Sequence, residues 1–201
     1  MKKQITWLES ILKLFKYFII VLFFFIPISF SHASSERWIL DKNLSTIEFE
    51  LPVLFANNVK GKFNTIEGLV ELDITEKINN KAIFSVQIDD LEMNYIKYKD
   101  LLLSEIFFDT LTFPLAVIDT KKFTYNDEKE LKINAELTLK GKSEMVPLII
   151  NVTRLAEALV QIQTELIFSR TNFEIGIGQW SNTSILKDRV KIKTNLFLFK
   201  K

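Results

Sequence analysis

The 201-residue chain contains no cysteine and a single histidine, His32. Without cysteine the protein has no disulfide bond, no thiolate metal ligand, no nucleophilic thiol and no cysteine for a lipoprotein anchor. His32 lies in the N-terminal leader described below, so the rest of the chain lacks histidine as well. These absences exclude most zinc, copper and haem sites and every histidine-based catalytic triad.

The first 33 residues predict a secretory signal peptide. Four lysines within the first 16 residues are followed by an uncharged apolar run at 17–30, and Ser31-His32-Ala33 fits a small-x-small cleavage site. The run is shorter than the ~20 residues that span a membrane, and it contains Pro27. We expect cleavage after Ala33 and a periplasmic product. An uncleaved membrane anchor is the alternative.

Residues 34–201 are long enough for one domain with a substantial core. Cleavage would remove four of the 26 basic residues and one of the 25 acidic residues, which leaves a slightly acidic domain with no basic stripe. Nucleic acid is therefore not an expected partner.

Apolar and polar residues alternate along most of this domain. In residues 130–140 every second residue is apolar, and this period of two predicts a β-strand with one apolar face. The alternation predicts eight strands, at 46–53, 68–74, 82–89, 113–123, 130–140, 146–153, 158–168 and 189–199.

The segments between these strands indicate how the strands are connected. Polar turns at 77–81, 125–129 and 140–144 favour antiparallel neighbours, and residues 98–108 are the one segment with helical character. The prediction is an all-β fold of eight antiparallel strands, as either a sandwich or a barrel. A barrel of eight strands fills with side chains or holds one small ligand.

Short motifs recur in a fixed order between the strands. They are Gly61-Lys62-Phe63, Gly68-Leu69-Val70-Glu71-Leu72, Lys99-Asp100, Phe107-Phe108-Asp109, Phe113-Pro114, Glu136-Leu137-Thr138-Leu139-Lys140-Gly141, Val146-Pro147-Leu148, Ser169-Arg170-Thr171-Asn172-Phe173, Gly176-Ile177-Gly178-Gln179-Trp180 and Lys187-Asp188-Arg189-Val190. Together they resemble the YceI-like family of exported polyisoprenoid-binding proteins. The resemblance implies a lipocalin-like, eight-stranded antiparallel barrel with a short helical insertion and an apolar tunnel for a polyprenyl phosphate or quinone-type tail.

Two positions depart from the family pattern. Leu102 stands where family members often carry a histidine, and Glu174 stands where a glycine commonly follows the aromatic residue. A head-group contact through that histidine is therefore not expected in this chain.

The candidate lipid-binding residues are aromatic, with one arginine. They are Phe49, Phe63, Phe84, Phe107, Phe108, Phe113, Phe168, Phe173, Trp180 and Arg170. For any single phenylalanine ordinary core is the favoured interpretation, whereas their number together favours the lining of a tunnel. Trp180 suits either a loop anchor or a lid over the tunnel.

Arg170 has two interpretations. Its guanidinium could pair with an acidic lipid head group at the tunnel mouth. The favoured alternative pairs it with Asp100 or Asp188 and pins the following loop against the barrel.

No catalytic or metal-binding constellation is predicted. Asp89 and Asp90 are adjacent in a strand, so their carboxylates would point to opposite faces. We therefore expect a noncatalytic periplasmic carrier for a long isoprenoid lipid, with no cofactor other than that lipid. Two alternatives stay open: an enzyme that acts on such a lipid through Asp100 or Arg170, and an accessory module of a membrane redox protein.

Overall fold

The computed structural model of the protein describes residues 35–54, 57–73, 77–124 and 130–201. The predicted leader and the predicted turn at 125–129 lie outside these ranges. Within them the chain forms eleven strands: β1 Ser35–Leu40, β2 Thr46–Leu51, β3 Val59–Phe63, β4 Ile66–Asp73, β5 Lys81–Gln87, β6 Leu91–Met93, β7 Leu115–Asp119, β8 Glu130–Leu139, β9 Lys142–Ala156, β10 Leu159–Ser169 and β11 Arg189–Lys200. A short helix, α1, spans Lys99–Leu103, and 3₁₀ turns span Ile96–Tyr98, Arg170–Phe173 and Gly178–Ser181.

Three bent strands reduce the eleven segments to a barrel of eight strands. Segments β1 and β2 form the first strand, β3 and β4 the second, and β5 and β6 the third. The first strand pairs with the second through β1–β4 and β2–β3, and the second pairs with the third through β4–β5 and β3–β6. All neighbours are antiparallel and follow chain order, and the pairing of Trp38 in β1 with Lys200 in β11 closes the sheet. The predicted all-β barrel is confirmed.

The bend between β1 and β2 has a local cause. The side chain of Asp41 accepts hydrogen bonds from the backbone N–H groups of Asn43 (2.8 Å) and Leu44 (3.0 Å). Such an Asx turn redirects the chain between two strand segments. The alternation pattern does not predict β1, β3 or β6. In β1 three polar residues are followed by three apolar ones, β3 has only Val59 and Phe63 as apolar side chains, and β6 has three residues.

The helical segment is shorter than the predicted 98–108. Helix α1 ends at Leu103, and Ser104 has an extended backbone with its hydroxyl donating to the carbonyl oxygen of Leu101 at 2.7 Å. A serine that bonds the preceding turn in this way competes with continuation of the helix. The prediction of helix at residues 104–108 is therefore wrong, and Phe107 and Phe108 lie in a turn.

The predicted turn at 140–144 contains only two residues. Lys140 (φ 48°) and Gly141 (φ 70°) both adopt left-handed conformations, and β9 begins at Lys142. This is the combination that a two-residue hairpin turn requires. The predicted turn at 77–81 is one residue too long at its end, because β5 already begins at Lys81. Residues 74–76, which precede this turn, lie outside the described ranges.

The alternating apolar residues point into the barrel. Along β8, Ala135, Leu137 and Leu139 are buried while the residues between them face outward. The buried side chains form two clusters, one around β8, β9 and β10 and the other around β1, β4, β5 and β11. Among the described residues no helix is long and apolar enough to cross a membrane.

Candidate functional site

A cavity of about 590 Å³ runs through the barrel between the two apolar clusters. Its wall receives side chains from all eight strands and is mainly apolar. Phe49, Phe63, Phe84, Phe107, Phe108 and Phe168 line it, as the sequence predicts for residues facing a tunnel. This volume is within the range of pockets that enclose small molecules.

The two ends of the cavity differ in accessibility. Along β9 the inward-facing Val146 and Leu148 are each 5% exposed, Val152 is 38% exposed, and Arg154 at the end of the row is exposed. Neighbouring β10 shows the same trend, because Val160 and Ile162 are half-buried whereas Phe168 is buried. The cavity therefore opens beside the β9–β10 hairpin, which we call the open end.

The opposite end, which we call the capped end, is covered by α1 and residues 170–188. The backbone N–H groups of Gly176 and Ile177 donate to the carbonyl oxygen of Ile106 at 2.9 and 3.2 Å. The N–H of Lys187 donates to the carbonyl oxygen of Pro52 at 3.1 Å. These bonds join the cap to the turn after α1 and to the end of β2.

Arg170 organises the cap. It is fully buried, and its five N–H groups donate to five backbone carbonyl oxygens. The acceptors, with donor–acceptor distances of 2.7–3.1 Å, belong to Ile175, Gly176, Trp180, Leu186 and Lys187. No donor of Arg170 is left for a lipid head group, so its role here is to hold the cap.

Asp188, one of the two carboxylates predicted to pair with Arg170, contributes to the cap through the neighbouring residue. Asp188 accepts hydrogen bonds from the N–H (3.1 Å) and the hydroxyl (2.8 Å) of Thr171, the residue after Arg170. The prediction that Arg170 pins the 170–188 segment therefore agrees with the structure, although the acceptors are backbone carbonyls rather than the carboxylate of Asp100 or Asp188.

Both charges of the cap have altered pKa values. Burial lowers the pKa of Arg170, and the charge of Asp188 acts in the opposite direction. For Asp188 burial favours the neutral acid, but hydrogen bonds from Thr171 and Ser169, together with the charge of Arg170, hold its pKa below the ordinary value. The cap therefore pairs a buried guanidinium with a carboxylate whose ionised form is stabilised by its neighbours.

Polar side chains face the cavity at the open end. Glu36 and Trp38 project inward from β1, Arg154 projects from β9, and Lys200 on β11 forms an ion pair with Glu36. Nε and Nη2 of Arg154 donate to the carbonyl oxygens of Ala156 (3.4 Å) and Glu157 (3.0 Å), which holds the guanidinium at the rim. These four polar residues are not among the candidates predicted from the sequence, although continuing the even-numbered alternation of 146–152 would place Arg154 on the inner face.

Two buried polar atoms in the cavity wall have no hydrogen-bond partner among the described residues. They are Nε1 of Trp38 and Oγ1 of Thr194. Thr194 lies midway along β11 opposite Thr164, whose hydroxyl donates to the carbonyl oxygen of Ile149 at 2.7 Å. Buried polar atoms in native proteins are nearly always paired with a protein group, a ligand or water.

Three other candidate residues pack behind the wall. Phe173 is fully buried and meets Phe168 edge-on, with ring centroids 5.4 Å apart. Trp180 packs on Phe107 with ring centroids 5.8 Å apart. Phe113 lies over Gly141, where an added β-carbon would stand 2.6 Å from the ring. A direct lipid contact of these three residues stays a prediction.

The two departures from the family pattern have distinct structural settings. Leu102 lines the capped part of the cavity and adds apolar surface there. Glu174 has a φ of 54°, a left-handed conformation that normally favours glycine. Its carboxylate accepts a hydrogen bond from Lys142 (2.7 Å) and its carbonyl oxygen accepts one from Lys140 (2.9 Å), so these contacts support the strained residue.

A closed, eight-stranded antiparallel barrel with an apolar internal cavity defines a ligand-binding barrel. A family model described as the YceI-like domain matches residues 38–198. The chain therefore belongs to the YceI-like family, and the predicted resemblance is confirmed.

Solved structures share this fold at low sequence identity. BcnA of Burkholderia cenocepacia is 23% identical with a TM-score of 0.71, over 79% of this chain and 98% of that one. A polyisoprenoid binding domain from Saccharophagus degradans, implicated in plant cell wall breakdown, is 15% identical with a TM-score of 0.67, over 82% and 98%. The YceI protein of Campylobacter jejuni is 18% identical with a TM-score of 0.59, over 75% and 89%.

No curated protein matches the chain. Among the residues described, no group of three or more acidic or histidine side chains is arranged to hold a metal ion.

Proposed function

We propose that the protein is a noncatalytic carrier that holds a long-chain isoprenoid lipid, a polyisoprenoid or quinone-type molecule, inside the barrel. The observation that carries this proposal is the cavity of about 590 Å³, whose apolar wall continues from the open end to the cap. A second observation favours a carrier over an enzyme. Arg170, the candidate chemical group in the cavity, has all its donors bound to backbone carbonyls.

Apolar burial supplies enough free energy for such binding. Burial stabilises by about 0.8 kcal/mol per CH₂ group, so one five-carbon isoprene unit can gain about 3–4 kcal/mol before ordering costs. Several units would therefore bind tightly through the tail alone. The length and shape of the cavity, more than charge, would then select the ligand.

The family supports an isoprenoid over other lipids. The Saccharophagus degradans domain with this fold is a polyisoprenoid binding domain. In the present barrel Phe49, Phe63, Phe84 and Phe168 give the wall flat aromatic surfaces, which suit a branched, unsaturated chain.

The site of action that we propose is the periplasm, on the basis of the predicted leader. Cell fractionation followed by N-terminal sequencing tests this point. We expect the protein in the periplasmic fraction with Ser34 as its first residue, and a membrane-bound form with an intact leader would contradict it.

Two neighbouring residues of β9 provide a matched test of the cavity. Ile150 lines the cavity, whereas Ile149 points outward and is 48% exposed. Ile150→Trp should fill the cavity and reduce co-purified lipid at least tenfold, and Ile149→Trp should not change it. Native mass spectrometry and organic extraction of the wild type and both variants measure the bound lipid.

The same experiment separates lipid classes when octaprenol and a saturated fatty acid are offered to the delipidated protein. We expect octaprenol to bind and the fatty acid to bind more weakly. A wild-type protein that carries no lipid and binds no octaprenol would contradict the proposal, as would equal binding by the Ile150→Trp variant.

A further inference from the structure

The open end of the barrel contains a buried hydrogen-bond donor with no acceptor. Trp38 is 4% exposed and lines the cavity, and its Nε1 atom has no partner among the described residues. An indole N–H can only donate, so the missing partner is an acceptor oxygen or nitrogen. Buried donors are satisfied in most proteins, which indicates that a ligand supplies this acceptor.

Charged side chains surround the same end. Arg154 and Glu36 line the cavity there, and Lys200 is paired with Glu36 across the β1–β11 junction. Lys200 neutralises Glu36 in this ion pair, so the charge that the cavity lining adds at this rim is the positive charge of Arg154. A head group with negatively charged or strongly accepting oxygens fits this surface better than a cationic head group.

The capped end offers the opposite chemistry. Leu102, Phe107, Phe168 and Ile175 line the cavity there, and the only charged residue in that part of the lining, Arg170, has its five N–H groups bound to carbonyl oxygens. A polar head group at this end would lose its hydration without gaining a donor, which is unfavourable. An apolar chain end meets no such cost.

We infer that the lipid binds in one orientation, with an oxygen-bearing head group at the open end against Trp38 Nε1 and Arg154, and with the end of its tail beside Phe168 at the cap. This orientation rests on the proposed function. It names Glu36, Trp38, Arg154 and Lys200 as the head-group subsite, and it identifies an acidic or carbonyl-bearing head group as the class that the subsite takes.

Two tryptophans at opposite ends of the barrel allow a direct test. Trp38 lies at the open end beside Lys200, and Trp180 lies in the cap beside Arg170. Between Arg189 and Lys200, β11 extends over ~36 Å, so a quencher at one end of a lipid reaches one tryptophan in preference to the other. The full chain also contains Trp7, which is changed to phenylalanine in every variant.

The experiment uses geranylgeranyl lipids that carry a nitroxide either on the head group or on the last isoprene unit. In the Trp180→Phe variant, which keeps Trp38, we expect the head-group nitroxide to quench fluorescence at least threefold more than the tail nitroxide. The response of Trp180 is measured as the difference between the Trp7→Phe chain, which keeps both Trp38 and Trp180, and the Trp180→Phe variant, and for this difference we expect the reverse. Equal quenching or the opposite order would overturn the orientation.

Binding is measured separately, by the radioactivity of a labelled geranylgeranyl chain retained by the protein. If no chain is retained, the proposed function itself fails. If the chain is retained but the quenching order is reversed, only the orientation fails. The two failures are therefore distinguishable.

Head-group chemistry is tested with three ligands that share a C20 chain: geranylgeranyl monophosphate, a geranylgeranyl benzoquinone and the hydrocarbon phytane. Trp38→Phe should weaken the two oxygen-bearing ligands about tenfold and leave phytane unchanged. Arg154→Met should weaken the monophosphate most. Arg189→Met, which removes an exposed arginine near the cap, is the matched control and should change none of the three affinities.

An excess of inorganic phosphate added with geranylgeranyl monophosphate distinguishes a lipid head group from a free anion. We expect no competition, because the tail supplies most of the affinity. Equal weakening of phytane in the Trp38→Phe and Arg154→Met variants would overturn the head-group subsite, as would displacement of the lipid by inorganic phosphate.

Discussion

Gly68 and Phe84 face each other across β4 and β5, and the Phe84 ring lies over the glycine so closely that a β-carbon at residue 68 would overlap the ring. Phe49 lies in the same way over its partner Gly61 on β3, where an added β-carbon would stand 2.5 Å from the ring. The two glycines let cavity-lining rings lie flat against the wall. Space for a ligand therefore depends on these pairs.

Gly68→Ala should push the Phe84 ring into the cavity. Overpacking of this kind costs about 1–3 kcal/mol in the free energy of unfolding, and we expect it to reduce the amount of bound octaprenol as well. Urea unfolding and lipid extraction measure the two effects. The double variant Gly68→Ala/Phe84→Leu should recover lipid binding, and a single variant with unchanged lipid content would contradict this account of the glycine.

Phe168 and Phe173 are neighbours with different relations to the cavity. Phe168 lines its capped end, whereas Phe173 is buried behind it, edge-on to the Phe168 ring. Phe168→Leu should lengthen the cavity and shift the preference towards prenols with longer chains. Each variant should lower the free energy of unfolding by about 1–3 kcal/mol, but Phe173→Leu should not change the chain-length preference.

Competition among C20, C30 and C40 prenyl alcohols measures this preference, and urea unfolding measures the stability. The same shift in both variants would mean that the end of the tail is not beside Phe168.

Much of the fold follows from the alternation of apolar and polar residues. Strand β8 spans Glu130–Leu139 where the pattern predicts 130–140, and β11 spans Arg189–Lys200 where it predicts 189–199. Closure of the barrel does not follow, because it depends on the pairing of β11 with β1, a segment whose polar and apolar residues are grouped and do not alternate. Alternation defines faces of strands, whereas closure depends on which strand ends meet.

The candidate site was predictable only in part, for a related reason. Phe49, Phe84 and Phe168 occupy inward positions that the period of two predicts. Phe63 lies on β3, which the pattern does not predict, and Phe107 and Phe108 lie in a turn. The partners of Arg170 are backbone carbonyl groups within residues 175–187. Every residue has such a group, so residue type does not indicate which of them accept these hydrogen bonds. The open end was also missed, because Trp38 lies on β1 and Arg154 lies beyond the predicted end of its strand.

Arg170→Met should destabilise the protein strongly. The variant leaves five carbonyl oxygens without their donor, three of them in buried hydrogen bonds. Even one unsatisfied buried group costs about 1–3 kcal/mol, so we expect a loss of at least about 3 kcal/mol in the free energy of unfolding. Arg170→Lys supplies three donors and should lie between the wild type and Arg170→Met. Urea unfolding measures the series.

The folded fraction of the Arg170→Lys variant should still prefer geranylgeranyl monophosphate over phytane by the wild-type ratio. A variant of wild-type stability that selectively loses affinity for the monophosphate would instead show that Arg170 binds the head group.

Asp188 should make the stability of the cap depend on pH. Its pKa in the folded protein is below the ordinary value because hydrogen bonds from Thr171 and Ser169 and the charge of Arg170 outweigh the effect of burial. A carboxylate with a lowered pKa contributes stability that is fully present above its unfolded-state pKa, about 3.9, and is lost as the pH falls through the lower folded-state value. Urea unfolding at pH values from 7 down to 2.5 should therefore show a steeper loss of the free energy of unfolding below about pH 4 in the wild type than in Asp188→Asn, which is less stable at pH 7.

The hydroxyl and N–H of Thr171 both donate to Asp188, so Thr171→Val should remove part of the same pH dependence. Parallel curves for the wild type and Asp188→Asn would show that this carboxylate does not hold the cap.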